Sequence, residues 1–536
     1  MALRLVDRIL NVLPTRHLRW CGCMACLMAL VACSSSGSGL ANVRRLNIAL
    51  SVELSSLDPQ TTISVDAIKV QSALFETLVR VNAQTGAIEA GGATAWEIGE
   101  HGRIYRFELD PDLCWSDGSP LQASDYVFAL RRLMDPRLAA PFADLYFGIV
   151  GARDLHLGKQ VDASEFGVRA LNPSTLEIEL ERATPYFLSL LARPCAAALP
   201  EAFLRDRGAV DSRTRGWTLE PGFPVSGPYQ LERWTVNEQI ELRKNERHPF
   251  ADRLSYDVLH FYPIESAYAQ EHGFQTGALD VISKLASERI AAYRGKPELV
   301  SEVEMGTFYV ITQTRSPALQ EISLRQLLSA SVDREAIVKQ LRQREEQPAI
   351  GFVPPIWEAY HPKLGQAKRV FSLPEQAPQI ERTKLRLLIS SSEGNLLIAE
   401  ALQSMWMEEL PVEVEIVRQE WKSYLDSRSR GEFDLCLATW IGDYYDPLTF
   451  LELWHSEAIN NFCQWQHEEY DALLAAAAKE THEVERLQLL ARAEELLMEH
   501  APILPLFYLS RVYLKADRVE SWPQTFLNTV NYLELR

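Results

Sequence analysis

The chain is expected to fold as α/β, with mixed sheets spread over two or three domains. Three observations predict this. Between Lys384 and Trp440, strand and helix patterns alternate, and such a run makes βαβ units. Between Leu231 and Ile264, three strand patterns follow one another with no helix between them, which calls for antiparallel neighbours. Finally, 536 residues are too many for one hydrophobic core.

Taken in order, Asn47–Val52 (NIALSV) reads as a short strand, and Leu57-Asp58-Pro59 turns away from it. Asp66–Leu78 carries apolar residues at helical spacing. From Ala95 to Leu109 the faces alternate as in strands, Ile104, Arg106 and Glu108 opposing Tyr105, Phe107 and Leu109. Asp117-Gly118 marks a turn; Ser124 is placed to cap a helix over Tyr126–Met134, which Asp135-Pro136 ends. Thr175–Leu180 alternates as a strand, and Pro185 opens a short helix. Val225–Gln230 is a Gly/Pro corner before the three strands, with a hairpin tip at Asn237-Glu238.

Tyr268–Gly277 is helical, Leu279–Val281 a short strand and Phe308–Thr312 a longer one. Leu324–Ser331 is a helix, and Asp333 caps the next, Arg334–Leu341. Phe352-Val353-Pro354-Pro355 is not helix-compatible, and 362–382 reads as a surface connection. Lys384–Ser390, Asn395–Glu409 and Val412–Val417 are strand, helix and strand. Gln419–Phe450 then gives a helix, a buried strand over Phe433–Trp440, and a loop holding Trp440, Asp443, Tyr444, Tyr445 and Asp446. Ligands of open α/β sheets bind at such C-terminal strand edges. Two amphipathic helices over Tyr470–Met498 and extended segments at Pro502–Tyr508 and Val512–Lys515 close the chain.

The formal charge of -18 lacks the basic footprint that nucleic-acid binding needs. At the N-terminus, Arg4, Arg8, Arg16 and Arg19 precede an apolar run, Trp20–Ala32, too short to span a bilayer comfortably. The sequence Leu30-Val31-Ala32-Cys33, followed by a Ser/Gly tether, resembles the lipobox of bacterial lipoproteins. The resemblance implies cleavage before Cys33, lipidation of its thiol and export. Removing the four Arg and one Asp of residues 1–32 from a charge of -18 leaves -21. Cys114, Cys195, Cys436 and Cys463 remain in the mature chain. Export permits disulfides, and Cys114–Cys195 with Cys436–Cys463 is the expected pairing of the three available. No Cys/His ligand spacing survives for zinc. No GxSxG or HExxH occurs, and Asp443 and Asp446 sit three apart on one loop, so no enzyme is expected.

Several stretches carry a wider resemblance: SLDPQ at Ser56, WSDGSPLQASDYVFALRRLMDP at Trp115, SGPYQLERWTVNEQIELRKN at Ser226, GALD at Gly277, SVDREAIV at Ser331, GFVPP at Gly351, and Gln419–Phe450. In order and spacing they resemble the family 5 solute-binding proteins of bacterial ABC importers, nearest to the oligopeptide binders. That resemblance implies a three-domain periplasmic-binding-protein clamshell, type II-like with mixed sheets. Its parts would be a signal peptide (1–32), domain I in three pieces (33–75, 201–337 and 509–536), a domain II insertion (76–200) and domain III (338–508). Hinge crossings are expected near residues 337 and 508. The implied partners are short peptides, an ABC permease and the membrane through the lipid, in a monomer without cofactor or nucleic acid, in the periplasm or on the cell surface.

By the same resemblance Asp443 pairs with the ligand's α-amino group; its other reading is a loop cap. Trp440 walls a side-chain pocket or packs at a strand end. Arg428 meets a ligand carboxylate or is a solvated helix-end cation. Phe142 stands where these proteins have a tyrosine lining the cleft, so the ring is kept and the hydroxyl lost. Val65, Phe308, Tyr309 and Gln313 are placed along the peptide backbone track. Two departures stand out. Ile63 replaces a cleft glutamate and Leu437 an arginine able to pair with it, so neither charge is left alone. They make the cleft more apolar and keep open a non-peptide ligand: a metal complex, haem or an oligosaccharide.

Overall fold

The computed structural model describes residues 43–213, 216–342, 344–357, 359–360, 382–480 and 482–536. The signal segment, Cys33 and nearly all of 362–382 lie outside them. Arg45–Arg536 pack as one compact unit. No described helix is long and apolar enough to cross a membrane.

Seventeen strands are present among the described residues. The first is β1 (Arg45–Leu50). A small hairpin, β2 (Val79–Val81) and β3 (Ile88–Ala90), leads into an antiparallel sheet of β4 (Ala93–Gly99), β5 (Ile104–Leu109), β6 (Val168–Asn172) and β7 (Thr175–Glu179), in order β4-β5-β7-β6. Helix Ala123–Leu133 packs on this sheet. Its start differs from expectation. Ser124 lies inside the helix, and the Asp125 carboxylate accepts from Gln122 N (2.9 Å), so an acid at the third helical position closes the N-terminus.

The remaining strands form one large sheet: β8 (Tyr229–Thr235), β9 (Gln239–Lys244), β10 (Val258–Pro263), β11 (Val281–Ile282), β12 (Leu299–Thr312), β13 (Gln347–Pro348), β14 (Thr383–Ser390), β15 (Val412–Gln419), β16 (Leu435–Ile441) and β17 (Ile503–Lys515). With β1 their order is β15-β14-β16-β12-β17-β11-β1-β10-β9-β8, and β13 adds to β17. The pair β12 and β17 holds the two ends together. Leu299–Val303 pair with Ser510–Leu514 on the β1 side, whereas Thr307–Ile311 pair with Ile503–Tyr508 on the β16 side, across a register shift between Val303 and Thr307. The two closing extended segments are thus one strand, β17, paired along its length with β12. Ile337 packs with Leu385, Leu402 and Leu504, already within the β14–β16 part.

The strand alternation decides the cores. In β14 and β16, Leu385, Leu387, Leu435 and Leu437 face a cluster under helix Glu393–Glu409. Leu388, Cys436 and Ala438 face a second cluster with helices Glu468–Ala477 and Glu483–His500. A sheet covered on both faces needs continuous apolar runs, and Leu387–Ile389 and Leu435–Ala438 supply them, while Lys384 and Arg386 at the start of β14 are exposed. Gly431, at φ +70°, ends helix Trp421–Arg430 in the left-handed conformation and aims the chain into β16.

At the corner before β8, Gly227 N donates to Leu74 O (2.9 Å). A Cβ there would lie 2.6 Å from Ala73 O. Gly227→Ala should destabilise the fold by about 2–3 kcal/mol, since backbone has to shift. A lowered urea midpoint checks this; an unchanged one refutes it.

All four cysteines are free, which corrects the expected pairing. Each thiol has its own neighbour: Cys463 with Asn461 Oδ1 (2.9 Å), Cys195 with the Tyr146 hydroxyl (3.4 Å), Cys436 with the Tyr424 hydroxyl (3.7 Å) and Cys114 with Arg247 O (3.7 Å). Burial pushes Cys436 and Cys463 up to about 12, so neither forms thiolate readily.

Candidate binding site

The loop after β16 is held residue by residue. Gly442 N donates to Met305 O (2.9 Å), the last bond of the β12–β16 ladder. Thr449 then clamps the turn: its Oγ1 accepts from Asp443 N and its carbonyl accepts from Trp440 Nε1, both at 2.9 Å. Asp446 takes Arg486 in a two-pronged buried ion pair (2.7 and 2.8 Å). Tyr444 donates to Glu452 (2.6 Å) and stacks on Tyr186 with ring centroids 3.8 Å apart. Burial raises the Glu452 carboxyl to about 7, against the pull of that hydrogen bond. Tyr445 stacks on Phe526 and donates to Ile356 O (3.2 Å).

The two loop aspartates therefore differ. Asp446 is committed to Arg486. The Asp443 carboxylate is half-buried, and no hydrogen bond or ion pair reaches it among the described residues. Burial pushes its carboxyl above the usual range; nearby Arg193 pulls it down and Asp144 pushes it up. A partly desolvated carboxylate without a cation is a place for one. Arg193 does not fill it. Its guanidinium donates to the Asp443 carbonyl and lies 4.3 Å over the Phe142 ring. Phe142 and Arg193 thus stand across from Asp443, from the part of the chain that carries the small sheet. Arg193 was missed in the sequence. Its only signal is an arginine straight after the apolar run Phe187–Ala192, a position where a charge needs a partner.

Trp440 lies opposite Thr307 in the ladder, half-buried with its indole N–H satisfied. Arg428 and Gln313 meet elsewhere. The Arg428 guanidinium lies 4.8 Å over Phe462 and 5.5 Å over Tyr424, and its Nε is buried without a partner. Gln313 donates to Phe462 O (3.2 Å). Thr312 pairs with Leu435 and Thr307 with Trp440, so this second group sits roughly 17 Å further along the strands at about 3.4 Å per residue.

Phe308 and Tyr309 do not lie on an open track, a correction to the expectation. From Thr307 to Ile311 both edges of β12 are paired, by β16 and by β17, so its backbone has no free groups to offer a peptide. Their side chains point to opposite faces. Phe308 stacks on Phe507 (4.8 Å), and Tyr309 meets Phe352 (4.9 Å) and Trp454 (5.8 Å) edge-on. Val65 keeps the role open to it: it is 45% exposed at the start of helix Val65–Leu74. The two departures part company as well. Ile63 is 62% exposed, whereas Leu437 is 2% exposed in the core with Phe308 and Leu385. The first can touch a ligand; the second cannot.

Comparison with known proteins places the chain. The family model of bacterial extracellular solute-binding proteins, family 5, matches residues 87–462. The periplasmic oligopeptide-binding protein of Escherichia coli is 29% identical over 531 residues, covering 95% of this chain and 95% of its own. The periplasmic murein peptide-binding protein of the same organism is 30% identical over 521 residues, covering 93% and 94%. Among solved structures, the unliganded open form of a periplasmic murein tripeptide-binding protein superposes with a TM-score of 0.80 at 28% identity, covering 92% of this chain and 98% of its own. The architecture is that of the periplasmic binding proteins, receptors rather than enzymes. The chain belongs to family 5 of the bacterial extracellular solute-binding proteins.

Proposed function

We propose that this protein is the receptor of a peptide importer. It takes short peptides into a cleft walled by Asp443, Trp440, Phe142, Arg193 and the exposed backbone from Ile63 to Val65, and hands them to an ABC permease. The observation that carries the reading is the half-buried Asp443 carboxylate, which no hydrogen bond or ion pair reaches among the described residues, on a loop that Arg193 ties to the Phe142 ring; such a carboxylate is the complement of a peptide's α-ammonium group. Oligopeptide- and murein-peptide-binding relatives support the ligand class.

Arg428, with its unpartnered Nε, is the candidate for the ligand carboxylate. The domain limits proposed from sequence are retained, except that the hinge is assigned to β12 around Val303–Thr307 and to β17 around Tyr508–Ser510, where the pairing shifts register. Two strands that cross between lobes bend there at little cost, and a ligand favouring the closed state drives closure. Cys33 is proposed to carry the lipid that holds a monomeric receptor at the membrane.

A second reading, a non-peptide solute such as a metal complex, haem or an oligosaccharide, is favoured by one observation: the exposed Ile63, an apolar group where the cleft begins. Native mass spectrometry of the protein purified without residues 1–33 separates the two. A ladder of short-peptide masses supports the peptide receptor, and a single defined non-peptide mass replaces it with the second reading.

A further inference from the structure

A cavity of about 260 Å³ lies beside the start of that backbone track. It is bounded by the first turn of helix Val65–Leu74, the register shift of β12 and β17, and the loop around Trp522–Asn528. Five charged groups stand at it or just behind it, and four of them are matched. Lys69 pairs with Asp66 (3.1 Å), and Asp66 also accepts from Ser51 N (2.6 Å). Arg511 pairs with Glu302 (2.5 Å) and donates to Thr525 O and Gln524 O.

The fifth is Glu304. No hydrogen bond or ion pair reaches its carboxylate among the described residues. Burial raises its carboxyl, against the pull of Arg511 and Arg344. Neither Arg511, which is committed to Glu302, nor Arg344 makes an ion pair with Glu304 among the described residues. A partly buried carboxylate that lines a cavity and touches no cation is a place for one brought in by a ligand.

Position ties this cavity to the ligand track. Gly442 N to Met305 O closes the β12–β16 ladder, so Glu304 on one strand and Asp443 on the other are the next residues outward. Val65 lines the cavity too. Apolar wall is present for an alkyl stem, from Val65, Val281, Tyr513 and Trp522. Gln524 and Asn528 offer amide oxygens for further N–H groups.

We propose that this cavity is a subsite for a lysine- or arginine-type side chain of the bound peptide, with Glu304 as its charge partner. The proposal deepens the peptide reading, which rests on Asp443, by naming a preference within it.

The test is calorimetric titration of the full mature chain with two tetrapeptides, one carrying lysine near its free N-terminus and the other norleucine in its place. The wild type should bind the lysine peptide about tenfold tighter, the size of one charged hydrogen-bonded contact. Glu304→Gln should abolish that preference while leaving norleucine affinity unchanged. Asp443→Asn should weaken both peptides equally and keep the preference, which separates failure of the anchor from failure of the subsite. No preference in the wild type, or a preference that survives Glu304→Gln, overturns the proposal. If neither peptide binds, the peptide reading fails and the cavity is tested alone: n-butylammonium chloride should raise the Tm of the wild type above equimolar sodium chloride plus n-butanol, and not that of Glu304→Gln. An equal effect on both proteins overturns the subsite.

Discussion

Asp443→Ala is expected to weaken binding of a free-amine peptide by about 100-fold, a loss of about 3 kcal/mol. The carboxylate is half-buried and raised by burial, so the protein meets a desolvation cost that a bound ammonium offsets. Removing the acid leaves that ammonium in the cleft without a counter-charge. Stability should move the other way. A carboxyl whose pKa is raised on folding costs stability as pH rises from its unfolded value through its folded one, so at neutral pH the alanine variant should melt at the same temperature or slightly higher. The control is an N-acetylated peptide, which should bind both proteins with equal, weak affinity. An unchanged affinity for the free-amine peptide, or the same loss with the acetylated one, removes Asp443 from the amine site.

Asp58→Ala is expected to cost about 3–5 kcal/mol of stability with no direct effect on the cleft. Asp58 and Arg132 are both fully buried. The carboxylate accepts from Arg132 (2.7 and 3.2 Å), Trp217 Nε1 (2.9 Å) and Gln60 N (3.0 Å). Arg132 also donates to Gln60 Oε1, Val210 O and Ala209 O. This network joins the SLDPQ turn, helix Ala123–Leu133 and the residues Ala209, Val210 and Trp217. With the acid gone, Arg132 is a buried cation held only by neutral acceptors. Asp58→Leu combined with Arg132→Met should recover much of the loss, because an apolar pair leaves no charge unmatched. Denaturant midpoints of the three variants measure this. A single variant as stable as the wild type would show that water reaches the network.

Much of this was legible from the chain alone, for reasons that can be named. The βαβ run declared itself because the parts of its strands covered on both faces are continuous apolar runs, as Leu387–Ile389 is. The hairpin tip at Asn237 was readable because its positive φ (62°) is a conformation asparagine tolerates. The loop of Gln419–Phe450 drew attention because aromatics and carboxylates crowd a strand end. Local pattern misled where a longer-range choice intervened. Ser124 is a good cap by type, but Asp125 reaches Gln122 first. Phe308 and Tyr309 form an obvious strand, yet nothing in FYVIT says that both its edges are taken.

Residue chemistry and short-range periodicity were enough for the family, the element types and the loop whose Asp443 is proposed to meet a ligand. Which charges are paired and which are not follows from the packing of distant segments. Asp446 and Asp443 look alike three residues apart, but Arg486, forty residues on, neutralises one of them. Arg193, 250 residues away, reaches the backbone of the other and not its carboxylate. Charge compensation depends on distances of a few ångströms between groups that the chain separates by hundreds of residues, and no local pattern records them.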